Sequence, residues 1–119
     1  MDPAEEKREL LSNLIVYMDS FETGVQGTVT LFQEGSIEEA KLNTVQVIDG
    51  LGWILEGITV LRDLVAIDVA ELKNTLVELQ ASLENDDDVS TSDLFENELL
   101  PVVSSWKQRM KDVDGQRHT

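Results

Sequence analysis

Cysteine is missing altogether, histidine occurs once, at His118, and proline only at Pro3 and Pro101. Without cysteine the chain has no disulfide, no thiolate nucleophile, no thiolate zinc site and no cysteine-bound iron–sulfur cluster. Its one histidine is the penultimate residue, where a mobile terminus cannot hold a general base within reach of a substrate. Ser/His/Asp catalysis fails with it, and so does the Glu-x-x-His signature of di-iron bundles.

Basic side chains are scarce as well. Nine Lys and Arg stand against twenty-four Asp and Glu, a net charge of −15. Such a charge repels phosphate backbones and anionic lipid surfaces, so neither nucleic acid nor a membrane is an expected partner. The exception is an acidic mimic of nucleic acid that occupies a basic protein's binding site. Long apolar runs are also absent. The longest stretch free of charge, Thr23 to Gln33, is eleven residues, whereas spanning a bilayer takes about 20. The opening residues Met1 to Glu6 lack the basic and apolar segments of a secretory signal, and the expectation is a soluble cytoplasmic protein.

The 119 residues, 41% hydrophobic and 28% charged, fit one folded domain spanning 1–119 with a single core. Apolar residues recur at helical spacing. Leu10, Leu14, Met18, Phe21, Val25, Thr28 and Phe32 share one face of a first helix that opens near Ala4. Gly24 and Gly27 interrupt it and predict a kink or a close helix contact. Gly35 is suited to end that helix in the left-handed conformation, and Ser36 with Glu39 forms a capping box for the next. Ile37, Ala40, Thr44, Val47, Ile48, Leu51, Ile54, Leu55, Ile58 and Leu61 make a second stripe, reaching about Arg62 to Val65.

A third helix is expected from Val69 to Leu83, with a capping box at Asp68 and Glu71 and with Leu72, Leu76, Leu79 and Leu83 buried. The acid-rich segment 84–92 predicts a solvated loop. A fourth helix follows from Ser92, bent by Pro101, and the tail from about 112 is expected to be mobile. The resulting fold class is all-α, an antiparallel four-helix bundle of up-down-up-down order. Leu42 with Trp53, and Phe95 with Trp106, add a faint internal echo between the second and fourth helices.

Three constellations bear on chemistry. From Asp86 the acid run fails as an EF-hand, because position 6 is Thr91 and position 12 is Asn97; cation binding by the segment 84–93 stays open. Asp49, Glu56 and Asp63 fall seven apart and read as rim charges, since unpaired buried carboxylates are costly. Gly50, Gly52 and Gly57 lack the strand and turn of a phosphate loop. Gly50 and Gly57 share a helical face, where absent side chains admit a second backbone, either within the fold or in a symmetric dimer. No metal, cofactor or catalytic residue is expected.

The order from Leu10 to Leu61 of an apolar helix, then Phe32-Gln33-Glu34-Gly35-Ser36-Ile37-Glu38-Glu39-Ala40, then Val47-Ile48-Asp49-Gly50-Leu51, resembles the central hairpin of flagellin export chaperones. That family's Ala-Ser-Pro segment and its tyrosines are not found here, apart from Tyr17, which matches nothing specific. The segment Asp93 to Pro101 followed by Trp106 is similar to the last helix of small uncharacterised bacterial helical proteins. Both resemblances imply a helical bundle that binds protein, and they assign no residue roles. The expected function is thus a non-catalytic protein-binding module, an export chaperone or adaptor. The candidate lining of its groove for a partner helix is Gly50, Trp53, Gly57, Leu61 and Trp106, with core packing the simpler reading of each tryptophan and partner contact the reading if it is exposed. The alternative is the acidic nucleic-acid mimic.

Overall fold

The computed structural model describes residues 2–116, which places His118 outside the described residues. The fold is an all-α helical bundle. Its elements are α1 (Pro3–Glu34), α2 (Ile37–Val60), α3 (Ala70–Glu84), α4 (Asp88–Leu94), a π-helical segment (Phe95–Leu99) and α5 (Leu100–Gln116). The described residues contain no strand.

The spine of the bundle is α1. Its 32 residues span about 48 Å at the helical rise, matching the longest dimension of the molecule, 47 Å. Asp2 opens it by accepting a hydrogen bond from the Ala4 amide, and Pro3 occupies the first turn, where its missing N–H is not needed. Gly24 and Gly27 neither break α1 nor touch another helix, since a Cβ at either would meet nothing within 4 Å. Gly35 ends the helix at φ 82°, and the Ser36 amide reaches back to the Leu31 carbonyl. This is the six-residue closure that favours glycine. The turn falls where the sequence puts it, but Ser36 makes no side-chain cap, so the capping box with Glu39 does not form.

Two helices lie along α1 with residue numbers falling as those of α1 rise. On one side, the Lys7–Asp63 ion pair and the covering of Gly57 by Leu14 and of Gly50 by Phe21 set the register of α2. On the other, Ser12 pairs with Asp114, Asp19 and Glu22 with Lys107, and Gln33 with Glu96, which sets α5 and the π segment. Between them the core gathers Leu11, Leu14, Met18, Val25, Ile54, Leu61, Phe95, Leu99, Val103, Trp106 and Met110. Burial of this order, at about 25 cal/mol per Å² of apolar surface, is the main force holding the helices together.

The structure differs from the sequence expectations at several points of the C-terminal half. The segment 84–92 is not a loop: only Asn85 to Asp87 separate α3 from α4. Asp86 takes the left-handed conformation (φ 51°), and the Asp87 amide bonds back to the Ser82 carbonyl. Asp87 then caps α4, accepting from the Ser90 amide and hydroxyl. Asp87 and Asp88 therefore sit at a helix start, where exposed N–H groups favour negative charge. The expected bend at Pro101 is expressed one turn earlier as the π segment, in which the Leu100 amide bonds to the Phe95 carbonyl, five residues back. Proline has no N–H and its ring crowds the carbonyl four residues before it, so a wider turn relieves the conflict. The tail expected to be mobile from about 112 is helical through Gln116, held by Val113 against the core and by the Ser12–Asp114 hydrogen bond. Asp68 does serve α3, but through the Ala70 amide, two residues on, and not as a capping box.

Candidate functional site

Of the five residues the sequence offers as a partner groove, four are interior. Leu61 and Trp106 are 1% and 2% exposed. A Cβ on Gly57 would press on Leu14 at 2.9 Å, and one on Gly50 would collide with the Tyr17 hydroxyl and crowd Phe21 at 3.3 Å. The glycine face is thus covered by α1 and is not open to a partner or a second copy. Only Trp53 reaches solvent, at 42% exposure, with its ring edge-on to Tyr17 at 4.6 Å between centroids. The five do not form one surface.

The open surface lies elsewhere, along the seam of α2 and α3. The inner face of α2, with Ala40, Val47, Leu51, Ile54 and Ile58, meets the core. A second apolar stripe, Val45, Ile48 and Leu55 with Gly52 between, runs up its outer side at spacings of three and four. Val45 and Ile48 are exposed and Leu55 is half-buried. On α3, Leu72, Thr75, Leu79 and Ser82 face inward, while Leu76 and Leu83 are only half-buried and Val69 and Val77 are exposed. The facing residue numbers run in opposite order: Lys41 pairs with Asp86 at 3.1 Å, Ile48 shares a hollow with Leu83, and Leu55 shares one with Leu76.

Two hollows follow this seam. One, of about 400 Å³, lies among Leu55, Val69, Leu72, Leu76 and Val77, with Lys73 and Gln80 as its polar members. The other, of about 230 Å³, lies among Val45, Ile48, Leu83 and Phe32, closed at one end by Lys41 with Asp86. The seam is as long as α3, whose 15 residues rise about 22 Å. The sequence contains the signal, because Ile48 and Leu55 sit at the edge of the α2 stripe and make it wider than one buried face requires. Periodicity alone merges them with the core stripe beside them.

Charge around the seam is one-sided. Residues 37–88 hold twelve acids and three bases, whereas α5 holds three bases and two acids. Asp49 and Glu56 stand on the solvent flank of the outer stripe, each four residues after a stripe position, and neither makes an ion pair among the described residues. Lys41 is held above its usual pKa by the hydrogen bond from its ammonium to Asp86. Asp87 is held below the usual carboxylate value by the Ser90 hydroxyl and amide. Among the described residues, no group of three or more acidic or imidazole side chains is placed to hold a metal ion. No helix there is long and apolar enough to cross a membrane.

Comparison with known proteins identifies a family. The model of a family described as a domain of unknown function, DUF8042, covers residues 9–109. No curated protein and no solved structure matches the chain.

Proposed function

We propose that this chain, which belongs to the DUF8042 family, is a non-catalytic protein-binding module of the cytoplasm that seats a partner's amphipathic helix in the groove between α2 and α3. The observation that supports it is the second apolar stripe of α2, with Val45 and Ile48 exposed and Leu55 half-buried, which shares open hollows with α3 and is not buried by it. A helix laid in a groove buries anchors at i, i+3, i+4 and i+7, and the pairs Ile48/Leu55 and Leu76/Leu83 offer walls at the same seven-residue period. An export chaperone or an adaptor is one form such a module takes. The nucleic-acid-mimic reading rests on net charge, and it asks for a carboxylate-lined docking face where this groove is apolar.

The test uses synthetic amphipathic helices of about 15 residues, one apolar face combined with neutral, basic or acidic polar faces. Binding is read by calorimetry and located by hydrogen exchange. At least one peptide should protect α2 and α3, and the double variant Leu55→Asn with Val77→Asn should weaken it at least about tenfold while leaving the melting curve cooperative. Absence of binding by all three, or protection confined to α1 and α5, overturns the reading.

A further inference from the structure

We infer that the helix this groove accepts is basic, lying with its apolar anchors against Ile48, Leu55, Leu76 and Leu83 and its lysine or arginine flank against Asp49 and Glu56. The inference rests on the helix-binding reading above and adds the partner's chemistry and its rotation about its own axis. Three observations lead to it.

The first is the flank. Asp49 follows Val45 by four residues and Glu56 follows Gly52 by four, so both carboxylates stand beside the apolar stripe on its outer side, two turns apart. Neither has a cation within ion-pair distance among the described residues. Asp63, next in the same seven-residue series, is already bound to Lys7 at 2.7 Å and is not available in the same way. A partner with cations spaced seven apart on one flank would meet Asp49 and Glu56 together.

The second is the opposite wall. Lys73 lines the larger hollow on the α3 side, where a basic flank would be repelled, while Asp86 and Asp88 line the smaller hollow at the far end of α3. Beside the larger hollow the partner's charge is therefore asymmetric, cationic toward Glu56 on α2 and neutral or acidic toward Lys73. This asymmetry distinguishes a seated helix from general attraction of any polycation to an acidic protein.

The third is the alternative occupant, a second copy of the chain. Joining two copies across this seam would set residues 37–88, with twelve acids and three bases in each, against the same sequence. Like charges across an interface oppose association, whereas opposite charges speed encounter and set register.

Binding of the basic-faced and acidic-faced peptides is compared at low and at physiological salt. A scrambled basic peptide of the same charge but no apolar face measures nonspecific attraction. The basic amphipathic peptide is expected to bind at least about tenfold tighter than the acidic one, to weaken with salt and to exceed the scrambled peptide. Asp49→Lys with Glu56→Lys should reduce its affinity roughly tenfold. Glu9→Lys with Asp112→Lys, the same change in net charge on the α1 and α5 side, should change it less than about threefold. Equal binding of the two amphipathic peptides, or equal loss in the two double variants, overturns the basic-partner inference but leaves the groove standing. Concentration-dependent dimers by light scattering that the basic peptide does not dissociate also overturn it. Failure of every amphipathic peptide overturns both this inference and the reading it rests on.

Discussion

On the α1 and α5 side, Val103, Trp106 and Met110 disappear into the core and Lys107 answers the two acids it faces, 2.8 Å from Asp19 and 3.0 Å from Glu22. On the α2 and α3 side, Val45, Ile48 and Val77 remain in water, and Asp49 and Glu56 have no cation beside them among the described residues. The two sides are built from similar amphipathic helices, so periodicity alone does not separate them. What separates them is completion. One seam has buried its apolar surface and set a cation between its acids within the chain, and the other leaves both apolar and acidic side chains in solvent. Exposed apolar surface rimmed by charge is a mark of a contact site. Substitutions on the two sides should therefore behave differently.

The largest contrast is expected between the two tryptophans. Trp106, 2% exposed, should cost about 3–5 kcal/mol on replacement by alanine, through lost transfer energy and the cavity left behind. Trp53 is 42% exposed and loses mainly its packing on Tyr17, about 1–2 kcal/mol. Urea denaturation followed by circular dichroism measures both. Costs of similar size would mean that the two sides are equally integral to the core.

The charge contrast is smaller and has a pH signature. Replacing Lys107 with methionine removes the cation from Asp19 and from Glu22, whose Oε1 is already buried without a hydrogen-bond partner. A cost of about 1–2 kcal/mol at neutral pH is expected for the partly buried Lys107–Glu22 contact. Hydrogen bonds to Asp19, then to Glu22, hold Lys107 above the ordinary lysine value of 10.5. A raised pKa gives stability that is complete below 10.5 and lost as pH rises through the folded value. Asp19 is held below its ordinary 3.8, chiefly by the Lys107 hydrogen bond, so its contribution is present above 3.8 and lost as pH falls further. The methionine variant should therefore lose less stability than the parent at both extremes. A parallel offset across the whole pH range would assign the cost to packing and not to charge.

Much of the fold was legible because the helices announce themselves twice, by apolar period and by punctuation. Gly35 shows why: its turn requires a left-handed residue, and glycine advertises one. The joint between α3 and α4 is closed by the same backward hydrogen bond, from Asp87 to Ser82, but its left-handed residue is Asp86, hidden in a run of acids that reads as solvated loop. The π segment was half legible, since Pro101 marks the conflict without saying how the backbone relieves it. The candidate site was the least legible part. Gly50, Gly57, Leu61 and Trp106 have the composition of an interface and also that of a core, and only the third dimension tells these apart. Ile48 and Leu55 carry the groove, and their signal was a stripe too wide for one face.

The smallest expected effects concern the glycines, and they test whether α1 is closed toward α2 at Gly50 and open at Gly24 and Gly27. Gly24 and Gly27 lie inside α1, where an added Cβ would meet nothing within 4 Å, so Gly→Ala there should stabilise by about 0.5–1 kcal/mol each, through helix propensity and a less flexible unfolded chain. The same change at Gly50 gains as much propensity but pushes on the Tyr17 hydroxyl and the Phe21 ring, and overpacking typically costs about 1–3 kcal/mol. The net should be neutral to destabilising. Because Tyr17 stacks edge-on against Trp53, the strain should also appear as a change in Trp53 fluorescence, read cleanly in a Trp106→Phe background. Stabilisation at Gly50 equal to that at Gly24, with unchanged fluorescence, would show that α1 and α2 do not pack as closely as their register implies.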